Sequence, residues 1–283
     1  MGLLDDKAIV VTGAARGLGR AYALEAVREG ASVVVNDVDE AEAQAVVDEI
    51  TAGGGKAAVY AASVVSWEGA RRVVEHCLER FGKLDGLVNN AGILHAALPH
   101  EEDEERARAI VEVNLLGAIY VGAHAMRVMV EQGHGAIVNN TSSSHYGVPG
   151  LASYSATKGA LASLTYSWAV DMLPFGVRVN AFAPSAFTRM STQSGNPKAL
   201  KAPPVEHNVP AVIYLLSDAA DGITGQVVQL RGDDLIVVAH PSLTDAKASA
   251  EKWTPSLVAT RFDPVLRANI QPLGWRPAIE AMS

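Results

Sequence analysis

The fold is decided by residues 8–29, AIVVTGAARGLGRAYALEAVRE. Their order predicts a strand over Ala8–Val11, a glycine-rich turn over Thr12–Gly19 and a helix over Arg20–Glu29, where alanine and leucine recur at helical spacing. Such a turn lets a pyrophosphate approach the backbone, and the helix start supplies unpaired N–H groups and the positive end of a dipole. Because the turn opens a βαβ unit, the sequence predicts a dinucleotide site. The residues predicted to line it are Gly13, Arg16, Gly17, Leu18 and Gly19.

An acidic residue marks the end of the second predicted strand. Asn36 and Asp37 follow Ser32–Val35, at the place where a carboxylate accepts hydrogen bonds from the ribose hydroxyls of an adenosine. A carboxylate there also repels the extra phosphate of NADP, whereas Arg16 is a basic residue of the kind that favours NADP. We rank Asp37 above Arg16 and expect NAD as the cofactor, with NADP as the alternative.

Tyr154 and Lys158 lie four residues apart in a predicted helix and therefore share one face. A phenol alone has a pKa near ~10, but a nearby ammonium favours the phenolate and lowers that pKa toward neutrality. Proton transfer at working pH then becomes feasible. The spacing by itself is weak, because many helices carry a buried tyrosine and an exposed lysine, so the rest of the chain decides.

Short β-rich runs alternate with helical runs along the chain. This alternation predicts a parallel sheet that is covered by helices on both faces. The predicted strands lie near residues 7–12, 32–36, 56–60, 85–89, 135–141, 177–182 and 226–230.

Five motifs together resemble those of the classical short-chain dehydrogenase/reductase family over residues 5–235. They are Thr12–Gly19, Asn89–Gly92, Asn114 within Val113–Leu115, Tyr154 with Lys158, and Arg178–Pro184. The resemblance implies an α/β fold of Rossmann type, with a doubly wound parallel sheet of seven strands in the order 3-2-1-4-5-6-7. Within the family, residues 18–24 and 33–37 look like the branch of (3R)-hydroxyacyl-CoA and 17β-hydroxysteroid dehydrogenases.

The resemblance also implies the roles of the site residues. Tyr154 is the base for the alcohol proton, and Lys158 lowers the tyrosine pKa and hydrogen-bonds the nicotinamide ribose. Ser142 holds the substrate oxygen, and Asn114 holds a water that links Lys158 to solvent. The further cofactor contacts implied are Ser63, Val64, Asn90, Ala91, Gly92, Pro184, Phe187 and Thr188.

The chain departs from the family pattern at two positions. Counting from the strand before it places the catalytic serine at Ser142, but counting back from Tyr154 places it at Thr141. We assign Ser142, because the sheet fixes a strand end whereas the following loop tolerates a deletion; Thr141 and Ser143 remain alternatives. At Ser63 the family usually has an acidic or amide residue against adenine, so we expect weaker cofactor binding there.

Beyond Pro184 the segment Arg189–Pro203 corresponds to the substrate lid of the family and is short. A short lid leaves an open cleft, which suits a bulky or extended substrate. Several residues could border the substrate, with exposure in a loop or simple packing as the alternative for each. They are His95, His145, Tyr146, Phe187 and Met190.

The composition fits a cytoplasmic enzyme. The chain has 283 residues, 49% of them hydrophobic and 19% charged, and a net charge of −8. We therefore expect no nucleic-acid partner. We expect no membrane partner because no apolar stretch reaches the ~18 residues needed to span a bilayer, and because residues 1–7 lack a basic-then-apolar signal. The histidines show no metal-ligand spacing, so we predict no metal. The single cysteine, Cys77, excludes an intramolecular disulfide.

Three classes of function stay open. The first is an NAD-dependent oxidoreductase that interconverts a secondary alcohol and a ketone, on a 3-hydroxyacyl thioester, a hydroxysteroid or another small substrate. The second is a catalytically silent NAD-binding scaffold or regulatory subunit. The third is a lyase or epimerase that holds NAD permanently.

We expect a catalytic domain over residues 1–235 and a C-terminal extension over 236–283. Residues such as Trp253 and Trp275 make the extension too apolar for a disordered tail, so it needs a surface to cover. We expect it to pack on the same domain or on a neighbouring subunit, as a substrate lid with a helix near 257–266 or as a brace on a remote surface. The resemblance implies a homodimer or homotetramer that uses the helices near 152–172 and 204–217.

Overall fold

A single sheet organises the first of the two compact units into which the chain divides, residues 1–238 and 239–283. The computed structural model describes residues 2–188, 190 and 202–270. The strands are β1 Ala8–Thr12, β2 Ser32–Asp37, β3 Lys56–Ala61, β4 Gly86–Asn89, β5 Gly135–Asn140, β6 Val177–Ala183, β7 Val227–Arg231 and β8 Asp234–Val238. In the described residues they form one eight-stranded sheet in the order β3-β2-β1-β4-β5-β6-β7-β8. The predicted Rossmann-type fold and the order of its first seven strands are confirmed.

Helices cover both faces of the sheet. They are α1 Gly17–Arg28, α2 Glu40–Ala52, α3 Trp67–Phe81, α4 Glu104–Val111, α5 Gly117–Gln132, α6 Ala152–Met172 and α7 Val209–Leu216. Strand β1 shows the arrangement, because Ile9 and Val11 join a core cluster with residues of α1, α2 and α7, whereas Val10 joins the cluster with α3 and α5. Alternate residues of a strand point to opposite faces, so a strand buried on both faces is apolar throughout.

The eighth strand was not predicted. Strand β7 ends at Arg231, the two residues Gly232 and Asp233 form the turn, and β8 pairs antiparallel with β7. Gly232 has a φ of 60°, as glycine often does in two-residue hairpin turns. The apolar run Leu235–Val238 and the glycine before it are a signal for this hairpin that the sequence-based prediction of seven strands did not use.

The carboxyl ends of β1, β2, β4 and β5 meet at one edge of the sheet. Thr12 is in register with Asn36, and Asn89 is in register with Asn139. The loops that follow these strands therefore lie side by side, at the edge where open parallel sheets bind their ligands.

The stretch Glu104–Gln132 is long and apolar enough to cross a membrane by length and composition, with a mean hydropathy of 1.4 in an 18-residue window, so the prediction that no stretch reaches this length was wrong. It includes α4 and α5. Val121, Ala125 and Met129 of this stretch are fully buried in a core cluster with residues of the sheet. We therefore assign the stretch to the core of the fold.

The second unit contains one α-helix among its described residues, α8 Pro255–Val265, which overlaps the helix predicted at 257–266 and is followed by a short 3-10 helix over Arg267–Asn269. The Thr254 side chain caps it by accepting a hydrogen bond from the Leu257 N–H at 3.2 Å. Trp253 and Phe262 are partly exposed. Trp275 and most of the predicted lid, Arg189–Pro203, lie outside the described residues.

Candidate active site

Close backbone contacts shape the glycine-rich turn after β1. Gly13 has a φ of 63°, and a Cβ atom there would lie 2.8 Å from the Cα atom of Ala91. A Cβ atom at Gly19 would lie 2.2 Å from the carbonyl oxygen of Gly13. Only glycine fits at these two positions without a shift of the backbone, so the turn, β4 and the start of α1 pack closely together.

Gly17 differs, because it faces open space. Its φ is 55°, and a Cβ atom there would meet no other atom within 4 Å. Helix α1 starts at this residue, its N-cap Arg16 makes no side-chain capping hydrogen bond, and its first turn holds no acidic residue. The N–H groups of the first turn and the positive end of the dipole thus remain for an anion. This geometry fits the pyrophosphate of a nicotinamide dinucleotide.

Asp37 lies at the end of β2 and fixes the rim of this site. One carboxylate oxygen accepts a hydrogen bond from the Ala15 N–H at 3.0 Å, and the other accepts one from the Asp39 N–H at 3.2 Å. The Asp39 side chain caps α2 by accepting from the Glu42 N–H at 3.3 Å, and it forms an ion pair with Arg16. The two residues weighed against each other for cofactor choice are therefore linked through Asp39, which the sequence analysis missed.

Asn90 ties the end of β4 to the glycine-rich turn. Its Nδ2 donates to the carbonyl oxygens of Thr12 at 2.9 Å and Gly13 at 3.0 Å. The Thr12 hydroxyl oxygen accepts from the N–H groups of Asn90 and Ala91, each at 3.0 Å. These bonds hold the floor of the site rigid.

Tyr154 and Lys158 lie in the first turns of α6, and both are buried. The Lys158 Nζ lies 5.7 Å from the centroid of the Tyr154 ring and donates to the carbonyl oxygen of Asn140 at 2.7 Å. The Asn140 Nδ2 donates in turn to the Asn90 Oδ1 at 2.8 Å. The lysine is thus anchored through β5 to the residue that braces the glycine-rich turn.

Burial governs the charge of both groups. It raises the pKa of Tyr154 to about 12, opposed by a hydrogen bond to Ser142, and it lowers the pKa of Lys158 to about 8. The prediction that Lys158 lowers the Tyr154 pKa toward neutrality was wrong. Removal from water disfavours the charged form of each group, and this effect sets the direction of both pKa shifts.

The structure separates the two candidate positions for the catalytic serine. The Ser142 side chain acts on the Tyr154 phenol and lowers its pKa, opposing the effect of burial, and its Oγ accepts from the Ser144 N–H at 3.2 Å. Thr141 instead donates its hydroxyl to the carbonyl oxygen of Lys158 at 2.6 Å. The hydroxyl beside the phenol is therefore that of Ser142.

Asn114 lies fully buried in a π-helical turn, Glu112–Leu116, between α4 and α5. Its Oδ1 accepts from the Ile93 N–H at 2.7 Å, and its Nδ2 donates to the Ile93 carbonyl oxygen at 2.9 Å and to the Thr157 hydroxyl at 3.3 Å. A Cβ atom at Gly92 would lie 3.3 Å from the Asn114 Oδ1 and 3.7 Å from the Lys158 Nζ. Asn114 and Lys158 thus flank the same glycine. Single π-helical turns are frequent at functional sites.

A cleft of about 720 Å³ lies over these residues. The predicted cofactor residues that line it are Gly13, Arg16, Gly17, Leu18, Gly19, Asp37, Ser63, Val64, Asn90, Ala91, Gly92, Tyr154, Lys158, Pro184 and Thr188. Ser142, Asn114 and Phe187 do not line its described part, and Phe187 is 46% exposed. The lining residues that the sequence analysis missed are Asn36, Val38, Asp39, Ala62, Val65, Ile93, Leu94, Val113 and Asn140. Asp39 carried a usable signal, because an aspartate before a helix is a typical N-cap.

His145 and Tyr146 lie beside the site without lining its described part. The His145 Nδ1 lies 2.6 Å from the Ser142 carbonyl oxygen, and burial lowers the pKa of this histidine. The Tyr146 hydroxyl donates to the Gln229 Oε1 at 3.2 Å. These contacts fix the loop after β5 against β7, which favours a packing role for both residues.

This fold and this cleft are those of a short-chain dehydrogenase. The sequence profile of that family, described as short chain dehydrogenase, matches residues 7–199, and the chain belongs to the family. Its members are oxidoreductases that act on CH–OH groups. In the described residues no group of three or more histidine, cysteine, aspartate or glutamate side chains is arranged to hold a metal ion.

Related proteins share most of the chain. The 3-oxoacyl-(acyl-carrier-protein) reductase FabG of Thermotoga maritima is 33% identical over 240 residues, which cover 81% of this chain and 98% of the relative. A short chain dehydrogenase of Mycobacterium avium has a similar structure, with a TM-score of 0.86 and 34% identity over 96% of this chain and 98% of that one.

Two solved structures similar to this chain carry different dinucleotides. The 3-ketoacyl-(acyl-carrier-protein) reductase of Brucella melitensis, complexed with NADH, has a TM-score of 0.76 and 31% identity over 80% of this chain and 97% of that one. The gluconate 5-dehydrogenase of Burkholderia cenocepacia, in complex with NADP and tartrate, has a TM-score of 0.75 and 30% identity over 81% of this chain and 94% of that one.

Proposed function

We propose that the chain is an NAD-dependent dehydrogenase that interconverts a secondary alcohol and a ketone. The observation that carries this proposal is the buried Tyr154 with the Lys158 Nζ 5.7 Å from its ring centroid, in a cleft that the glycine-rich turn also lines. Alcohol oxidation needs a base for the hydroxyl proton next to a hydride acceptor, and this cleft brings the two positions together.

Each residue of the site has a distinct task in this reaction. Tyr154 takes the proton of the substrate hydroxyl, and Ser142 donates a hydrogen bond to the substrate oxygen as charge develops there. Lys158 supplies positive charge beside the phenol and binds the cofactor ribose, and Asn114 holds the water through which the proton leaves. Bound NAD supplies the hydride acceptor and a positive nicotinamide ring. In ketone reduction the same residues act in reverse.

The cofactor is NAD in this proposal, with NADP as the alternative. Asp37 supports NAD, because its carboxylate lines the cleft at the end of β2, where the adenosine ribose of a dinucleotide lies. Relatives complexed with NADH and with NADP both occur, so the preference rests on the charges of this chain. We expect Asp37→Ala to narrow or invert the preference, and a wild-type chain that uses NADPH better than NADH would contradict the proposal.

The substrate proposed is a 3-hydroxyacyl thioester or a hydroxysteroid. Its support is the resemblance of residues 18–24 and 33–37 to that branch of the family, together with relatives named as reductases of 3-oxoacyl groups. A panel of 3-hydroxyacyl-CoA thioesters, hydroxysteroids and small secondary alcohols tests this, with NAD present and NADH absorbance as the readout. If the chain oxidises no compound from any of these classes, the proposal of an alcohol dehydrogenase loses its support.

The two other classes of function make different predictions. A lyase or epimerase that holds NAD permanently would retain nucleotide through dialysis. A silent scaffold would bind NAD reversibly and turn over nothing in the panel. The presence of Asn114, Ser142, Tyr154 and Lys158 together argues against the silent scaffold, whereas the short loop between Ser142 and Tyr154 argues weakly for it.

We further propose a cytoplasmic homodimer or homotetramer in which α6 and the region around α7 form contacts between subunits. Exposed apolar residues at the end of α6 and just after it support this, with Val170 72% and Leu173 65% exposed. The extension was predicted over residues 236–283, but residues 236–238 belong to β8. Residues 239–283 are proposed to cover the substrate cleft of their own or a neighbouring subunit, with a structural brace as the alternative.

A further inference from the structure

The adenosine end of the cleft carries an ion pair that the choice between NAD and NADP must involve. Arg16 and Lys158 are the cationic side chains that line the described part of the cleft. Lys158 is buried and bonded to the Asn140 carbonyl oxygen. Arg16 lies at the rim formed by Asp37 and Asp39, where its guanidinium is bonded to the Asp39 carboxylate.

The two acids of this rim have separate functions. Both carboxylate oxygens of Asp37 are held by backbone N–H groups, those of Ala15 and Asp39. Asp39 uses one oxygen as the N-cap of α2 and the other for Arg16. Arg16 therefore points at Asp39, and a phosphate that approaches it meets a carboxylate already bound there.

We propose that Asp39 is a second specificity residue of this cofactor site, which excludes a 2′-phosphorylated adenosine by occupying the guanidinium of Arg16. An arginine that is free of an acidic partner binds phosphate through charge-assisted hydrogen bonds, often in a bidentate manner. With Asp39 in place the rim carries two negative charges against one positive charge. The inference rests on the proposed dinucleotide-binding function. It gives Asp39 a role in the choice between NAD and NADP that the fold alone does not indicate.

The test replaces Asp39 without removing the helix cap. Asp39→Asn keeps the cap, because asparagine caps helices as well as aspartate, and Asp39→Ser provides a second capping variant. Binding of NAD and NADP to the full chain is measured by isothermal titration calorimetry, with the melting temperature as a check on folding. We expect both variants to bind NADP at least about tenfold more tightly, the scale of a hydrogen bond to a charged group, and to bind NAD within about threefold of wild type.

Two controls separate release of Arg16 from loss of a negative charge. Glu49→Gln in α2 removes one negative charge and releases Arg20 in α1 from its ion pair. Neither residue belongs to the described lining of the cleft. This variant should leave NADP binding unchanged. In the background of Arg16→Met, Asp39→Asn should improve NADP binding by no more than about threefold, since no guanidinium is left to release.

Three results would overturn the inference and leave the proposed function intact. NADP affinity could rise less than about threefold in Asp39→Asn and Asp39→Ser, the full rise could persist in the Arg16→Met background, or Glu49→Gln could raise NADP affinity equally. A wild-type chain that binds neither dinucleotide would overturn the proposed function, and the inference with it.

Discussion

Thr141 donates its hydroxyl to the carbonyl oxygen of Lys158 across 2.6 Å, and this bond joins the end of β5 to helix α6. Thr141 and the neighbouring Ser142 thus differ in what their hydroxyls contact: the first touches a helix backbone and the second touches the phenol of Tyr154. Counting along the sequence from β5 or back from Tyr154 places the catalytic hydroxyl at Ser142 or at Thr141. The different contacts of these two residues predict different effects when each residue is replaced.

Ser142→Ala should lower kcat roughly 10²-fold or more, the scale of losing one oxyanion donor. Thr141→Val, which keeps shape and removes the hydroxyl, should mainly lower the free energy of unfolding by about 1 kcal/mol. Steady-state kinetics and urea unfolding of both variants measure this. A larger loss of kcat from Thr141→Val would move the catalytic role to Thr141.

The open space at Gly17 predicts that a side chain there lowers cofactor affinity as well as stability. Gly17→Ala should lower the free energy of unfolding by about 1–2 kcal/mol, because alanine disfavours the left-handed φ of 55°. It should also lower NAD affinity at least about tenfold, because the added methyl group enters the proposed position of the pyrophosphate. Gly54→Ala is the matched control, since Gly54 has a φ of 81°, no atom within 4 Å of the added Cβ, and no place in the cleft. Equal NAD affinities of the two variants would contradict the assignment.

The low pKa of Lys158, about 8 against an ordinary value of 10.5, predicts a pH-dependent stability. Between these pH values the unfolded chain binds a proton that the native chain has lost, so the free energy of unfolding rises with pH. Relative to Lys158→Met, wild type should gain stability from pH 7 to 9.5, by roughly 2 kcal/mol.

Urea unfolding at both pH values tests this, with Lys83→Met as the control. Asp6 raises the pKa of Lys83, so its titration lies above this window and Lys83→Met should show no such difference from wild type. A Lys158→Met variant with the same pH dependence as wild type would mean that the lysine stays charged in the folded chain.

The sequence predicted the sheet well because its strands are buried on both faces. Apolar runs such as Ile9–Val11 and Val33–Val35 indicate internal strands when they alternate with helical runs, and both are fully buried. Leu235–Val238 is an equally apolar run, but it forms an edge strand in which Leu235 and Val237 are exposed, so an apolar run alone does not show whether a strand is internal.

Site residues that belong to a family motif could be predicted from the sequence. Residues whose role depends on side-chain contacts between different elements could not. Gly17, Tyr154 and Lys158 belong to motifs, and they lie in or beside the cleft as expected. Asp39 and Asn140 act through an ion pair and an amide hydrogen bond across different elements, which no spacing rule reveals. The direction of the Tyr154 pKa was also missed, because burial of a side chain on α6 depends on everything packed around it.

Removal of the extension distinguishes its two proposed roles. Truncation after residue 240 should raise KM for an extended substrate if the extension covers the cleft, since substrate contacts are lost while Tyr154 and Ser142 remain. Light scattering and the melting temperature check assembly and folding. Unchanged KM and specificity in a folded truncated chain would reject the lid and leave a structural brace.

The central claim is that Tyr154 takes the proton of the substrate alcohol, and Tyr154→Phe tests it most directly. The variant keeps the ring in its buried position and removes only the hydroxyl. NADH formation should be abolished with the best substrate of the panel, while the dissociation constant for NAD, measured by titration calorimetry, should stay within about threefold of wild type. Turnover by Tyr154→Phe comparable to that of wild type would contradict the account.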